Sequence, residues 1–184
     1  MKKYLNMWVL IFFALSMTLC SNLTYAKTAK EIDASIDAAL ERLRQKFPNA
    51  SDVLQKSKGV LVFPEVIKGG LGIGAEYGEG ALRIKGKTVD YYNTIGGSFG
   101  FQMGGQINTV YLFFMEPLAL DQFRAASGWA GGLDASVAFI TLGKDGSIDT
   151  TKINKPIMAF VTDQKGLMYT LTLGLTKFNE VYKY

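Results

Sequence analysis

The chain has 184 residues, 48% of them hydrophobic and 20% charged, and its 20 Lys+Arg against 16 Asp+Glu give a formal net charge of +4. That is the composition of a globular protein. It contains no His and a single Cys, Cys20, which excludes His-dependent triads, His-based and four-Cys zinc sites, and any disulfide within one chain.

Met1-Lys2-Lys3 is a short basic start, Tyr4 to Leu19 is almost continuously apolar, and Thr24 and Ala26 place small side chains three and one residues before a cut after Ala26. This pattern reads as a secretory signal peptide over 1–26. The apolar run, 16 residues carrying Asn6 and Ser16, is short against the ~20 needed to span a bilayer. A retained anchor and a lipoprotein lipidated at Cys20 are the alternatives; bulky Leu19 argues against the second. The expectation is an exported, periplasmic chain of 158 residues, 27–184, long enough to bury one core as a single domain. Loss of Lys2 and Lys3 leaves 18 basic and 16 acidic residues, too even a balance for a non-specific nucleic-acid binder.

Residues 27–58 contain no Gly and carry seven basic and five acidic side chains, whereas all 20 Gly lie between Gly59 and Gly174. In the first segment Thr28-Ala29-Lys30-Glu31 has capping-box spacing, and Ile32, Ile36, Ala39, Leu40, Leu43 and Phe47 recur at steps of three and four. The spacing predicts an amphipathic helix over about 29–46, stopped by Pro48. A shorter helix, 52–57, follows, with Ser51 as its cap and Gly59 beyond its end. Arg42 and Lys46 border one edge of the apolar stripe, and Asp33, Asp37 and Glu41 form an acidic row beyond the other. Two placements fit the helix: docked on the sheet of its own domain, or lying at a membrane interface with its basic stems on the acyl boundary. The acidic row argues against the second.

From Gly59 the pattern is β. Gly59–Pro64 is a short apolar run ended by Pro, Lys85-Gly86-Lys87 reads as a hairpin turn between 81–84 and 88–95, and 107–115 is rich in β-branched and aromatic residues. Lys144–Ser147 and Asp163–Gly166 read as further hairpin turns. A second helix is expected near 117–127, with Pro117 first and Gly128 past its end. The resulting fold class is α+β, with a mostly antiparallel, curved or barrel-like sheet, an N-terminal amphipathic helix and one further helix.

The run Lys68–Gly80 holds six glycines but lacks the Gly-Lys-Ser/Thr of a phosphate loop, and Tyr77 stands where a G-x-G-x-x-G fingerprint needs its last Gly. Alternating Gly instead marks a strand whose bare face admits a ligand or another backbone. Phe99, Phe101 and Met103 share one parity and line either a core or an apolar cavity. Glu65, Glu76, Glu79 and Asp134 stand near strand ends, yet no spacing pairs two of them, and Ser127-Gly128-Trp129 is no nucleophile elbow. The sequence therefore points away from an enzyme, and no cofactor is called for. Asn49-Ala50-Ser51 fits a glycosylation site and, in a chain of bacterial appearance, reads as helix-cap chemistry.

The stretches Ser57–Pro64, Val66–Ala81, Ser98–Gly105, Phe123–Trp129 and Asp134–Ala138, in this order over about 30–180, resemble the SYLF-domain family. The resemblance implies lipid binding: eukaryotic relatives bind phosphoinositide membranes through a basic, amphipathic N-terminal part, and some bind actin. The positions here that match that role are Lys27, Lys30, Arg42, Arg44, Lys46, Lys56, Lys58 and Lys68. The implied partner is an anionic phospholipid or an acyl lipid at a membrane surface, with basic side chains on phosphate and apolar ones on acyl chains. The alternative is an envelope protein that binds another protein and no lipid.

Overall fold

The computed structural model describes residues 26–126, 137–139, 148, 155–166 and 175–184. Helix α1 spans Ala29–Lys46. Its start is a closed capping box, in which the Thr28 hydroxyl accepts from the Glu31 amide at 3.3 Å and the Glu31 carboxylate accepts from the Thr28 amide at 2.8 Å. Those bonds hold the Glu31 carboxyl below its ordinary range. Helix α2 covers Ala50–Lys56, with Asn49 rather than Ser51 at its N-cap. The Asn49 side chain does not cap the helix as expected. It reaches across the chain, donating to the Ile148 carbonyl at 2.8 Å and accepting from the Ile148 amide at 2.9 Å.

Strand β1 (Gly59–Ile84) and strand β2 (Lys87–Phe114) form one long antiparallel ribbon. Lys85 and Gly86 join them with φ of 51° and 78°, the left-handed pair that a type I′ hairpin requires. Pro64 does not end its strand, contrary to the sequence expectation. Pro64 and Glu65 together oppose Thr109 in a bulge, where the Pro64 carbonyl accepts from the Thr109 hydroxyl at 2.9 Å; a bulge tolerates a residue that has no N–H to give.

The ribbon folds back on itself across its glycine-rich middle. A Cβ at Gly80 would lie 2.1 Å from the Val62 carbonyl oxygen, and one at Gly78 would lie 2.8 Å from that of Glu65. At these two positions the alternating glycines admit another stretch of backbone, from the same strand.

The fold-over divides β2 between two partners. Tyr91–Gly97 pairs with strand β5 (Leu175–Val181), while Gln106–Phe114 pairs with strand β4 (Ile157–Gly166); the short strand β3 (Val137–Phe139) lies parallel to β4. The sheet is curved and not closed. Asp163–Gly166 is not a hairpin turn but the end of β4. Asp163, at φ 54°, and Gln164 together oppose Asn108, so the left-handed residue makes a bulge instead of a reversal.

Period-two alternation sends successive residues to two cores. On one face Val60, Val62, Tyr111, Phe113, Met158 and Phe160 pack against Ile32, Ile36, Ala39, Leu40, Leu43 and Phe47 of the α1 segment. The Tyr111 hydroxyl donates to the Ala39 carbonyl at 2.9 Å, and burial pushes its pKa up to about 12. On the other face Leu61, Phe63, Val110, Leu112 and Phe114 meet Leu82, Tyr92 and Phe178 of the folded-over half. Helix α3 (Pro117–Ala125) seals this core with Leu120 and Phe123. Residues 1–25, on which most of the signal-peptide reading falls, the segment 127–136 with Gly128 and Asp134, the turn expected at 144–147, and the side chains of Phe99, Phe101 and Met103 lie outside the described residues.

Replacing Gly80 by Ala is expected to lower stability by more than about 2 kcal/mol, since the new methyl meets a carbonyl rather than a movable side chain. Gly97→Ala, with 3.9 Å to its nearest neighbour, is expected to stay within about 1 kcal/mol of the parent in urea unfolding.

Candidate functional site

The helix face settles the placement of α1. Ile36, Leu40 and Leu43 are 0%, 8% and 2% exposed, so the apolar stripe is core. Each such side chain contributes roughly 1.5–3 kcal/mol on burial. Undocking six of them would cost on the order of 10 kcal/mol, against about 1 kcal/mol gained per basic residue near an anionic surface. The helix stays on the sheet.

The acidic row, which spoke against a membrane helix, turns out to hold the helix down. Arg83 of β1 donates from Nη2 to Asp37 at 2.9 Å and to Asp33 at 3.4 Å. Asp33 also accepts from the Thr88 hydroxyl at 2.6 Å and the Tyr91 hydroxyl at 3.0 Å. Burial, then this bond to Asp33, raises the Tyr91 pKa. Glu41 is met within its own helix by Arg44 at 3.7 Å and Gln45 at 3.0 Å.

The eight basic positions singled out in the sequence do not share one face. Lys27 meets Glu65 at 2.5 Å, and Arg42 and Lys46 converge on Asp163 at 3.6 and 3.1 Å. Lys68 points inward to Glu76 at 2.8 Å, with 12% and 8% of the two side chains exposed, and Glu76 also accepts from the Thr176 hydroxyl at 2.5 Å. A pair this buried is a structural element, because removing one partner strands the other charge. Lys30, Lys56 and Lys58 are exposed and carry no ion pair among the described residues.

Two of the eight, Arg44 and Lys58, come together with Arg83 and Lys85 in a groove of about 530 Å³ between α1, α2 and the β1–β2 turn. Leu40, Leu54 and Val60 supply an apolar lining, and Ser51, Gln55 and Ser57 supply polar ends. Arg83 Nη1 donates to the Gly86 carbonyl at 3.1 Å, while its Nε is buried with no hydrogen-bond partner among the described residues. Lys58 and Lys85, which have no ion-pair partner among the described residues, lie beside Arg44 and Arg83 in this groove, and such a cluster of cations is suited to an anion. Sequence reasoning missed Arg83 and Lys85. Lys85 belongs to a turn that was legible and Arg83 stands just before it, but nothing in the sequence shows that the turn returns to Lys58.

A second groove of about 390 Å³ is lined by Ser35, Arg42, Pro64, Glu65, Thr109 and Asp163. Its Arg42 already has Asp163 as a partner. Among the described residues no helix is long and apolar enough to cross a membrane, and no group of three or more acidic side chains is placed to hold a metal ion.

Residues 95–183 match the family described as Ysc84, Las17-binding protein actin regulator. That match, over a little less than half of the chain, agrees with the SYLF-domain resemblance of the sequence. The matched part begins within β2 and runs through β5, so it contains the strands that complete the fold-over but not the helices that bound the cationic groove. SYLF proteins are linked to actin or membrane-lipid binding. No curated protein matches the chain.

Removing the Asp33 carboxylate by Asp33→Ala is expected to cost about 1–2 kcal/mol, a value discounted because Asp33 is one-third exposed. The same change should move the Tyr91 titration back toward its ordinary value of 10.0, which ultraviolet pH titration against a Tyr91→Phe control would read.

Proposed function

We propose that this chain is a non-catalytic, anionic-lipid-binding protein of the bacterial cell envelope, and that the groove at Arg44, Lys58, Arg83 and Lys85 takes the phosphate of the lipid headgroup. The observation that carries this reading is the groove itself: Lys58 and Lys85, with no ion-pair partner among the described residues, stand with Arg44 and Arg83 around an apolar floor. The exposed Arg44–Glu41 pair is worth little, so Arg44 turns to a phosphate at small cost. Because α1 is docked, the acyl chain is met by the lining of Leu40, Leu54 and Val60 and not by insertion of the helix.

A second reading, docking of a protein partner, draws on two exposed cross-strand pairs, Ile67 with Ile107 and Tyr77 with Ile95. These apolar pairs flank the folded middle of the ribbon, away from the cationic groove. The matching family's description as an actin regulator fits that reading.

Sedimentation with vesicles tests the first. Binding to anionic vesicles at low salt should exceed binding to neutral ones and fall in 1 M salt, where the screening length shrinks to about 3 Å. Lys58→Gln with Lys85→Gln should weaken it about 30-fold, at roughly 1 kcal/mol per residue. Lys30→Gln with Lys56→Gln removes the same charge outside the groove and should leave most of the binding. Equal loss in both pairs would refute the groove, and equal binding to neutral vesicles would refute the headgroup.

A further inference from the structure

The chain just ahead of α1 lies against a nearly buried carboxylate. The backbone nitrogen of Lys27 donates to Glu79 Oε2 at 3.0 Å, across 52 residues of sequence. Glu79 Oε1 is held by Lys183 Nζ at 2.6 Å and by the Tyr77 hydroxyl at 3.0 Å, with only 8% of the Glu79 side chain and 11% of the Lys183 side chain exposed. Lys27 Nζ is turned aside to Glu65. Immediately after Lys27 the capping box fixes Thr28, so the nitrogen is positioned by the rigid start of the helix. Ala26, exposed and small, stands on the other side of the same peptide bond.

We propose that Glu79 is the receptor for the chain's own new N-terminus: cleavage after Ala26 converts the Lys27 backbone nitrogen into an α-ammonium group that pairs with Glu79 Oε2. This rests on the export reading of residues 1–26. In the cleavage, carried out by a peptidase selective for small residues, water adds across the Ala26–Lys27 bond. Its hydroxyl goes to the Ala26 carbonyl carbon and its hydrogen to the Lys27 nitrogen, which takes a further proton from solvent. A neutral amide donor becomes a charged one at the same place. A cut one residue earlier would move the amine by about 3.8 Å and leave Glu79 with only the neutral Lys27 amide.

The groups facing the new amine fix the sign of its pH dependence. Glu79 favours the charged form, while Lys183 and Lys27 Nζ oppose it. Each of those ammonium groups already has its own carboxylate oxygen, and Tyr77, whose pKa burial and Glu79 push up to about 12, stays neutral. The direct contact wins, so the α-ammonium titrates above its ordinary value of about 8. Stability from a raised amine is fully present below that ordinary value and is lost as pH rises through the folded one. On the acid side, burial works against the Glu79 charge, yet Lys183, the Lys27 amide and Tyr77 together hold its pKa below 4.5. The pair is therefore complete between those limits.

The test compares the chain released from a cleavable fusion with Lys27 first against the same chain carrying one extra Gly before Lys27, which keeps the net charge. At pH 6 the Lys27-first form should melt about 2–4 °C higher, and the difference should shrink by pH 9.5. In a Glu79→Gln background the difference should vanish. Equal melting at pH 6 would overturn the proposal, and this comparison stands even if Glu79→Gln does not fold. N-terminal sequencing of the chain exported from cells judges the export reading separately. A first residue other than Lys27 would overturn that reading and with it the role of the pair in the processed protein, while equal melting with Lys27 first would overturn the pairing alone.

Discussion

The structure depends on one close approach, the passage of the second half of β1 over the Val62 carbonyl at Gly80. Without a side chain at 80 and 78, the two halves of a 26-residue strand come into backbone contact. That contact turns a long, flat, two-stranded ribbon, which is marginal in water by itself, into two layers with a core between them. It also gives β2 two working ends, one for β4 and one for β5. The cationic groove is a by-product of the same geometry, since folding the ribbon carries the Lys85-Gly86 turn back to the start of β1 at Lys58 and Gly59.

Most of the charge near α1 is engaged in holding elements together. Asp33 and Asp37 tie the helix to Arg83, Asp163 ties Arg42 and Lys46 to the bulge of β4, and Lys68 and Glu76 are paired inside the fold. A count of basic residues along the chain therefore overstates what is available to a ligand. What matters is which cations lack a carboxylate partner and lie together. By that measure Lys58 and Lys85 are better placed than Lys68, although Lys68 heads the most conspicuous run in the sequence.

How much could be read beforehand follows the range of the forces involved. Helix α1 was legible to the residue because capping and 3.6-residue periodicity are local, and the hairpin turn at Lys85-Gly86-Lys87 was legible as a turn, though not its type I′ geometry. The alternating glycines were legible as a site of close backbone approach, but not the identity of the approaching segment. The failures share one cause. Pro64 and Asp163 carry the local signature of a strand end and a turn, and in each case a partner strand absorbs the irregularity as a bulge. Asn49 looked like a cap and was claimed by Ile148, about a hundred residues away. The groove needed the same long-range information, because Arg44 and Lys58 meet Arg83 and Lys85 only through the fold.

The pairing of β5 with Tyr91–Gly97 has a consequence for the order in which the molecule can be built. One half of the sheet is complete only when residues 175–181 lie beside a strand made roughly eighty residues earlier. A nascent chain that has completed β2 holds its hairpin but lacks the strand that covers that edge, and exposed edges of this kind recruit neighbours. Long-range pairing of this sort is slow compared with helix formation. Synthesis of the C-terminal strand, and not of the N-terminal helix, is thus the event that commits the chain to its native state, and a protein truncated ahead of Leu175 would be an aggregation hazard rather than a slightly shorter version of itself.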